Sequence, residues 1–227
     1  MFYRCFLESV ERWPDAPAVE IQRQPGATPQ TSPLSSLITT PDGHTVEIVQ
    51  YAPDGWTLRE KGNFLPETRI SKRLMHVGVL VGDVEPALKF YRDILGGTET
   101  WRGGGNPKQL SWVNVKVPDG EDYVEFMFYS ELPPPDKRGK QHHLCLEVSD
   151  VEKAKAVLEP RAARVNYTRP LEIATGINRK RQLNLWDPDG TRVELMEPKT
   201  VDGVPAPSST APPPTTRPAH STTQAAR

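Results

Sequence analysis

The feature that most constrains this chain is a segment that occurs twice. Leu74 to Asp83, LMHVGVLVGD, returns as Gln141 to Asp150, QHHLCLEVSD, with a His opening an apolar run and an Asp closing it at the same offset, His76 to Asp83 and His143 to Asp150. A helix-like segment follows each Asp, VEPALKFYRDIL and then VEKAKAVLEP. Each copy ends on a second echo, PDGEDYVEFM at Pro118 to Met127 and PDGTRVELM at Pro188 to Met196. A repeat of this length is one supersecondary unit used twice, and it matters more than any single residue in it.

The first module reads as β-α-β-β-β. MHVGVLV alternates as a strand, and Val84, Leu88, Tyr91 and Leu95 fall at helical spacing on one face. Gly96-Gly97 then stops the helix. Thr98 to Arg102, Leu110 to Val117 and Tyr123 to Tyr129 are expected strands, separated by GGGNP and PDG turns. The second module repeats the order: His143 to Val148, a helix over Val151 to Leu158, and strands near Arg164 to Thr168, Arg181 to Trp186 and Thr191 to Met196. The expected fold class is therefore α+β, with modules at residues 74–132 and 141–199 joined by a proline-stiffened connector at 133–140.

Residues 1–73 are read as a partial third module plus linker. Ser35 to Tyr51 carries a third PDG-x-x-V-E echo without a matching upstream His-strand and helix, and AVEIQRQPGATPQTSP before it is too rich in Pro, Gln and Thr to support an element. Residues 200–227 contain almost no large apolar side chain and are expected to be disordered.

With a formal net charge of -1 over 227 residues, bulk charge supports neither a nucleic-acid nor a membrane-surface role. No apolar run approaches the ~20 residues of a membrane span, and the start lacks a secretory pattern. A cytoplasmic protein is the expectation as written, and an exported one if the true N-terminus lies upstream. Cys145, inside an apolar strand-like run, reads as buried packing.

Strand alternation decides which side chains share a face. In Tyr123 to Tyr129, Val124, Phe126 and Phe128 form the face that meets the helix, leaving Tyr123, Glu125, Met127 and Tyr129 on the other. Glu194 is likewise opposed to Val193 and Leu195, and His76 to Val77, Val79 and Val81; His143 takes that place in the second module. Two modules packed with their non-helical faces toward each other would bring His76, Glu125, His143 and Glu194 into one cavity. Two imidazoles and two carboxylates are costly to bury unless protonated, paired or bound to a metal. A lone strand His or Glu is ordinarily a surface group, but the same offsets in both modules favour a metal site. His142 is one residue out of phase and faces away.

Asn114, Tyr129, Arg181 and Asn184, with Trp112 or Ser111, are candidate substrate residues, each equally readable as strand surface. Arg179-Lys180-Arg181 reads either as an anion grip or as a solvated strand end. Gly103 to Gly105 lacks the Lys-Ser/Thr and helix start of a phosphate loop and reads as a hairpin.

MHVGVLVGDVEPALKFYRDILGG, PDGEDYVEFM, HLCLEVSDVEKA and DPDGTRVELMEP resemble the vicinal-oxygen-chelate superfamily, which includes glyoxalase I, methylmalonyl-CoA epimerase, extradiol dioxygenases and bleomycin or fosfomycin resistance proteins. The resemblance covers roughly Leu74 to Pro198. It implies two βαβββ modules around a cup-shaped mixed sheet, with the family's metal positions at His76, Glu125, His143 and Glu194. Glu47 occupies a ligand-like position in the N-terminal fragment but has no partner His upstream. A set of two His and two Glu resembles the isomerase and lyase branch, in which one divalent ion (Ni, Co, Mn, Zn or Fe) binds substrate oxygens and Glu194 or Glu125 acts as general base. The alternatives are an extradiol ring-cleaving dioxygenase with non-haem iron and a metal-free binding or resistance protein. The expected partner is a small-molecule substrate, and the modules pair within one chain or swap between two in a homodimer.

Overall fold

The computed structural model describes residues 19–22, 34–129, 131–133, 141–161 and 166–212. In chain order the elements are β1 (Val19–Gln22), β2 (Leu34–Thr39), β3 (Thr45–Gln50), α1 (Trp56–Arg59), β4 (Arg73–Leu80), α2 (Val84–Leu88), β5 (Thr98–Gly103), β6 (Trp112–Lys116), β7 (Tyr123–Met127), β8 (His143–Glu147), α3 (Val151–Leu158), β9 (Ile173–Thr175), β10 (Lys180–Trp186) and β11 (Arg192–Thr200). From β4 onward each half runs strand, helix, three strands.

The two halves do not pack face to face. They join edge to edge into one curled sheet of eight strands, ordered β5-β6-β7-β4-β8-β11-β10-β9. The order reads symmetrically outward from the central antiparallel pair β4 and β8, and each of these also pairs in parallel with the last strand of its own half, β7 and β11. Curvature rather than stacking therefore makes the cavity, and the inner face is continuous across the junction.

Local chemistry explains the helices. Asp83 caps α2 by accepting a hydrogen bond from the Glu85 amide, and Asp150 caps α3 by accepting from Glu152 and Lys153. Helix α2, the first helix of the repeated halves, does not stay α-helical: Lys89–Ile94 is wound as a π-helix, with the Leu95 amide donating to the Phe90 carbonyl. The extra residue per turn buries both Phe90 and Tyr91, where a regular helix over the same residues would favour the Tyr91 and Leu95 face. Gly96 ends the helix at a positive φ of 76°.

Alternation sorts the apolar residues as expected from the sequence. Val113, Val115, Phe126 and Phe128 meet the first helix outside the sheet, and Val148, Val151, Ala154, Leu183 and Leu195 form the outer core of the second half. Met75, Tyr123, Cys145 and Met196 cluster separately.

Several expectations are corrected. The first outer strand of the second half is Ile173–Thr175, not the stretch near Arg164 to Thr168, of which Tyr167 and Thr168 lie in no strand and Arg164 and Val165 lie outside the described residues. The N-terminal fragment has a strand at Val19–Gln22 where composition argued against one, because β1 pairs along β2 in a three-stranded sheet with β3. Ile38, Val46 and Ile48 of that sheet pack on the core around the first helix, and the Asp42 carboxylate accepts from the Gly82 amide.

Residues 204–212, expected to be disordered, run along the opposite edge of the sheet. The Ser209 amide donates to Arg102 O, Trp101 Nε1 donates to Pro207 O, and Ser209 and Ala211 are buried. Backbone hydrogen bonding to the free edge of β5 requires no large side chain, so apolar content is a poor guide to order there. Residues 213–227 of that tail, and 134–140 of the connector, lie outside the described residues. No described helix is long and apolar enough to cross a membrane.

Candidate metal centre

Four inner-face residues converge at the β4–β8 junction. His76 and His143 lie on the paired central strands, and Glu125 and Glu194 on the flanking strands β7 and β11. The two Nε2 atoms are 2.9 Å apart. Glu194 Oε2 is 3.4 Å from His76 Nε2 and 3.8 Å from His143 Nε2, and Glu125 Oε2 is 3.9 and 3.6 Å from the same atoms. All four residues are buried.

The backbone makes room for this convergence at one position. Gly78 pairs with His143 across the junction, and a Cβ there would lie 1.9 Å from His143 Cε1. Only glycine lets the imidazole lie across β4. In the other direction, His76 pairs with Cys145 and stacks on the Tyr123 ring at 4.7 Å.

The donor set fits a divalent ion. Atoms about 2.1 Å from a common ion stand about 3.0 Å apart at octahedral right angles and about 3.4 Å apart at tetrahedral angles. The observed spacings of 2.9 to 3.9 Å bracket both values. The chemistry fits as well: neutral imidazole and carboxylate suit first-row divalent metals. Burial, reinforced by the nearby Arg192 charge, pushes His143 down to about 3, so it stays unprotonated. Cys145 also approaches His76 and Glu194, within 4.8 Å, but burial pushes its thiol well up, which holds it protonated and makes it a weak ligand.

The two carboxylates differ. Burial raises Glu125 to about 7, only partly opposed by His76. Burial acts on Glu194 too, but there the hydrogen bond and charge of His76 overcome it and hold the carboxyl below its ordinary value.

The four expected substrate residues separate into two groups. Asn114 pairs with Glu125, and Asn184 with Glu194, so each amide stands on the inner face beside a carboxylate, with a buried Oδ1 that makes no hydrogen bond. Tyr129 lies beyond β7 and is exposed. Arg181 is turned outward: it alternates with inner-facing Gln182 and is bound to Glu197 at 2.6 Å, with Asp150 and Glu152 nearby. His142 is half-buried with its ring edge against His44. Glu47 is exposed on β3.

Sequence reasoning named Trp112 but missed four other residues, Trp101, Gln182, Arg192 and Gly78. A cavity of about 270 Å³ opens on two of the four ligands, Glu125 and Glu194, and is also lined by Trp101, Trp112, Gln182 and Arg192. Arg192 stands two residues before Glu194 and so shares its face, which alternation alone would have revealed. Trp101 sits at an irregularity in the β5–β6 pairing, where alternation is no guide. Gly78 is visible only once the strand pairing is known.

Comparison with known proteins agrees with this architecture. Residues 73–195 match the family model described as the Glyoxalase/Bleomycin resistance protein/Dioxygenase superfamily. An uncharacterized protein, YwbC, of Bacillus subtilis (strain 168) is 28% identical over 131 residues, covering 56% of this chain and 99% of that protein. Among solved structures, a catechol 2,3-dioxygenase superposes with a TM-score of 0.58 at 19% identity, over 92% of this chain and 67% of the other. Methylmalonyl-CoA epimerase from Mycobacterium tuberculosis gives 0.46 at 22% identity, over 60% and 93%. The catechol 2,3-dioxygenase likeness speaks to the fold alone and the epimerase likeness carries no argument; on the family match across both halves of the curled sheet, this chain belongs to the glyoxalase, bleomycin resistance protein and dioxygenase superfamily.

Proposed function

We propose that the protein is a single-site, divalent-metal-dependent enzyme that promotes proton transfer next to a carbonyl of a small substrate, as isomerases and lyases of this superfamily do. The observation that carries this reading is the fourth ligand: Glu125 Oε2 stands 3.6 and 3.9 Å from the two imidazoles, in addition to Glu194. His76, His143, Glu125 and Glu194 would hold the ion, which supplies Lewis-acid polarisation of substrate oxygens when bound.

The chain's own groups divide the remaining work. Glu194, held ionised beside His76, is the better permanent anchor. Glu125, which stands farther from His76 than Glu194 does (3.9 against 3.4 Å) and lines the cavity, is the better group to accept a proton from the carbon next to the carbonyl and return it. Asn114 and Asn184 flank the two carboxylates on opposite sides of the centre, each with a buried Oδ1 that makes no hydrogen bond. Trp101 and Trp112 wall the cavity with aromatic surface against which the apolar part of a substrate can pack.

A second reading has its own observation. His76, Glu125 and His143 by themselves bring three ligand atoms within 4.8 Å of one another, a two-His, one-carboxylate set of the kind that serves ring-cleaving dioxygenases with ferrous iron. Two measurements on the metal-loaded protein separate the readings. With a panel of 2-hydroxy acids, 2-methyl-branched acyl thioesters and hemithioacetals in D2O, deuterium entry at the carbon next to the carbonyl without oxygen consumption supports proton transfer. Stoichiometric oxygen uptake with catechols, and no deuterium entry, would overturn it in favour of the dioxygenase.

A further inference from the structure

The cavity holds a cation that the ligand set does not use. Arg73, Arg102 and Arg181, on other parts of the sheet, are each paired with a carboxylate. Arg192 faces a cavity with two carboxylates, yet among the described residues no carboxylate lies within ion-pair distance of it. Its Nη2 instead contacts His143 Nδ1 at 2.6 Å and Met127 Sδ at 3.9 Å. Lys180, half-buried on β10, adds a second cation within electrostatic reach of Glu125 and Glu194.

The Arg192–His143 contact fixes a proton. A guanidinium only donates, so Nδ1 must be the acceptor and the proton of the neutral ring sits on Nε2. That Nε2 proton points at His76 Nε2, 2.9 Å away. His143 would hold a metal ion through its Nε2 lone pair, its ring proton would then sit on Nδ1, and that N–H and the Arg192 guanidinium, both donors, would oppose each other across the present 2.6 Å contact. Metal binding and the Arg192–His143 hydrogen bond therefore exclude one another.

Charge points the same way. A divalent ion cancels Glu125 and Glu194, and the cavity then carries the unpaired positive charge of Arg192 with Lys180 behind it. A half-buried guanidinium facing a cavity without a carboxylate partner is unfavourable, and a carboxylate satisfies it with two parallel hydrogen bonds.

We propose that Arg192 selects an anionic substrate: loading the centre with metal withdraws His143 Nδ1 from its guanidinium, and the freed guanidinium receives a carboxylate carried near the metal-chelating oxygens of the substrate. This deepens the proposed function and rests on the metal centre it assigns.

The test uses the full chain, metal-free and loaded with Co(II), as wild type, Arg192→Met and Arg192→Gln. Catechol, protocatechuate and 2,3-dihydroxybenzoate are the probes, because all three offer the same chelating oxygen pair and only the latter two carry a carboxylate. Affinity is read by calorimetry and occupancy of the centre by the visible Co(II) absorption. In the loaded wild type, at least one of the two carboxylates should bind about tenfold or more tightly than catechol. The ratio should fall to within about threefold in both variants while the Co(II) band persists, and should be near one in metal-free wild type; either variant that folds suffices. No carboxylate preference in the loaded wild type, a preference that survives loss of Arg192, or binding of none of the probes would overturn the proposal. A strong preference already present without metal, and lost with Arg192, would overturn its coupling to metal. Failure of the metal centre itself shows separately, as absence of the Co(II) band.

Discussion

The two halves of the sheet supply the same ligands by the same geometry and differ in what surrounds them. Two residues before each glutamate, and directly paired with each histidine, the first half places Tyr123 against His76 and the second places Arg192 against His143. Two residues after each histidine, the first half has Gly78 and the second Cys145. The Tyr123 ring stacks on His76 and contributes to the inner apolar cluster, whereas Arg192 hydrogen-bonds His143 and opens to the cavity. Backbone symmetry thus builds the centre, and the flanking positions make one side apolar and the other cationic. A substrate with one polar end has a single favoured orientation in such a cup.

The largest test of this comparison is steric. Gly78→Val puts a side chain where His143 lies, and metal affinity should fall by about a hundredfold or more in a cobalt titration. Cys145→Ala, at the matching position of the other half, should lower it by less than about threefold. Equal losses would show that the halves are not distinguished in this way.

The carboxylates give the next effect, in the metal-free protein. Glu125 has its folded pKa raised from 4.5 to about 7, so its contribution to stability is full below pH 4.5 and is lost as pH rises through about 7. Glu125→Gln should therefore be more stable than wild type above pH 7, by about 3 kcal/mol in urea unfolding. Glu194 has a lowered folded pKa, so its contribution is full above its unfolded value and is lost as pH falls through the folded one. Glu194→Gln should destabilise the protein at neutral pH. The same sign for both variants would remove the proposed difference between the halves.

Smaller effects concern the rim and the amides. The strap of residues 204–212 leaves the second half and docks on the first through Trp101 Nε1 and Pro207 O, so Trp101→Phe should cost about 1 kcal/mol in thermal unfolding. Asn114→Ala and Asn184→Ala should each change stability by less than about 1 kcal/mol, in either direction, because neither buried Oδ1 makes a hydrogen bond. A larger loss at only one of them would reveal a further asymmetry.

Much of this architecture was legible in the sequence because strand alternation is a rigid rule. It placed His76, Glu125, His143 and Glu194 on one face, and Phe126 and Leu195 on the other. Alternation says nothing about how two sheets meet, so edge-to-edge joining through β4 and β8 and the need for Gly78 were invisible. The strand at Ile173–Thr175 is three residues long and follows a Pro-bearing loop, too short for a periodicity to register. The strap over β5 is held by main-chain groups, which composition does not record. Arg181 misled because the basic run crosses the start of β10: Arg179 precedes the strand at a positive φ, and the next two residues point in alternate directions, Arg181 outward to Glu197 and Lys180 within reach of Glu125.

The central claim, a four-ligand metal centre spanning both halves, is tested most directly by elemental analysis of protein purified without affinity metals and then reconstituted. Wild type is compared with His76→Ala, Glu125→Ala, His143→Ala and Glu194→Ala. The account predicts close to one equivalent of a divalent metal in wild type and a strong reduction in each variant. No metal in reconstituted wild type, or full retention without Glu125 or without Glu194, would contradict it.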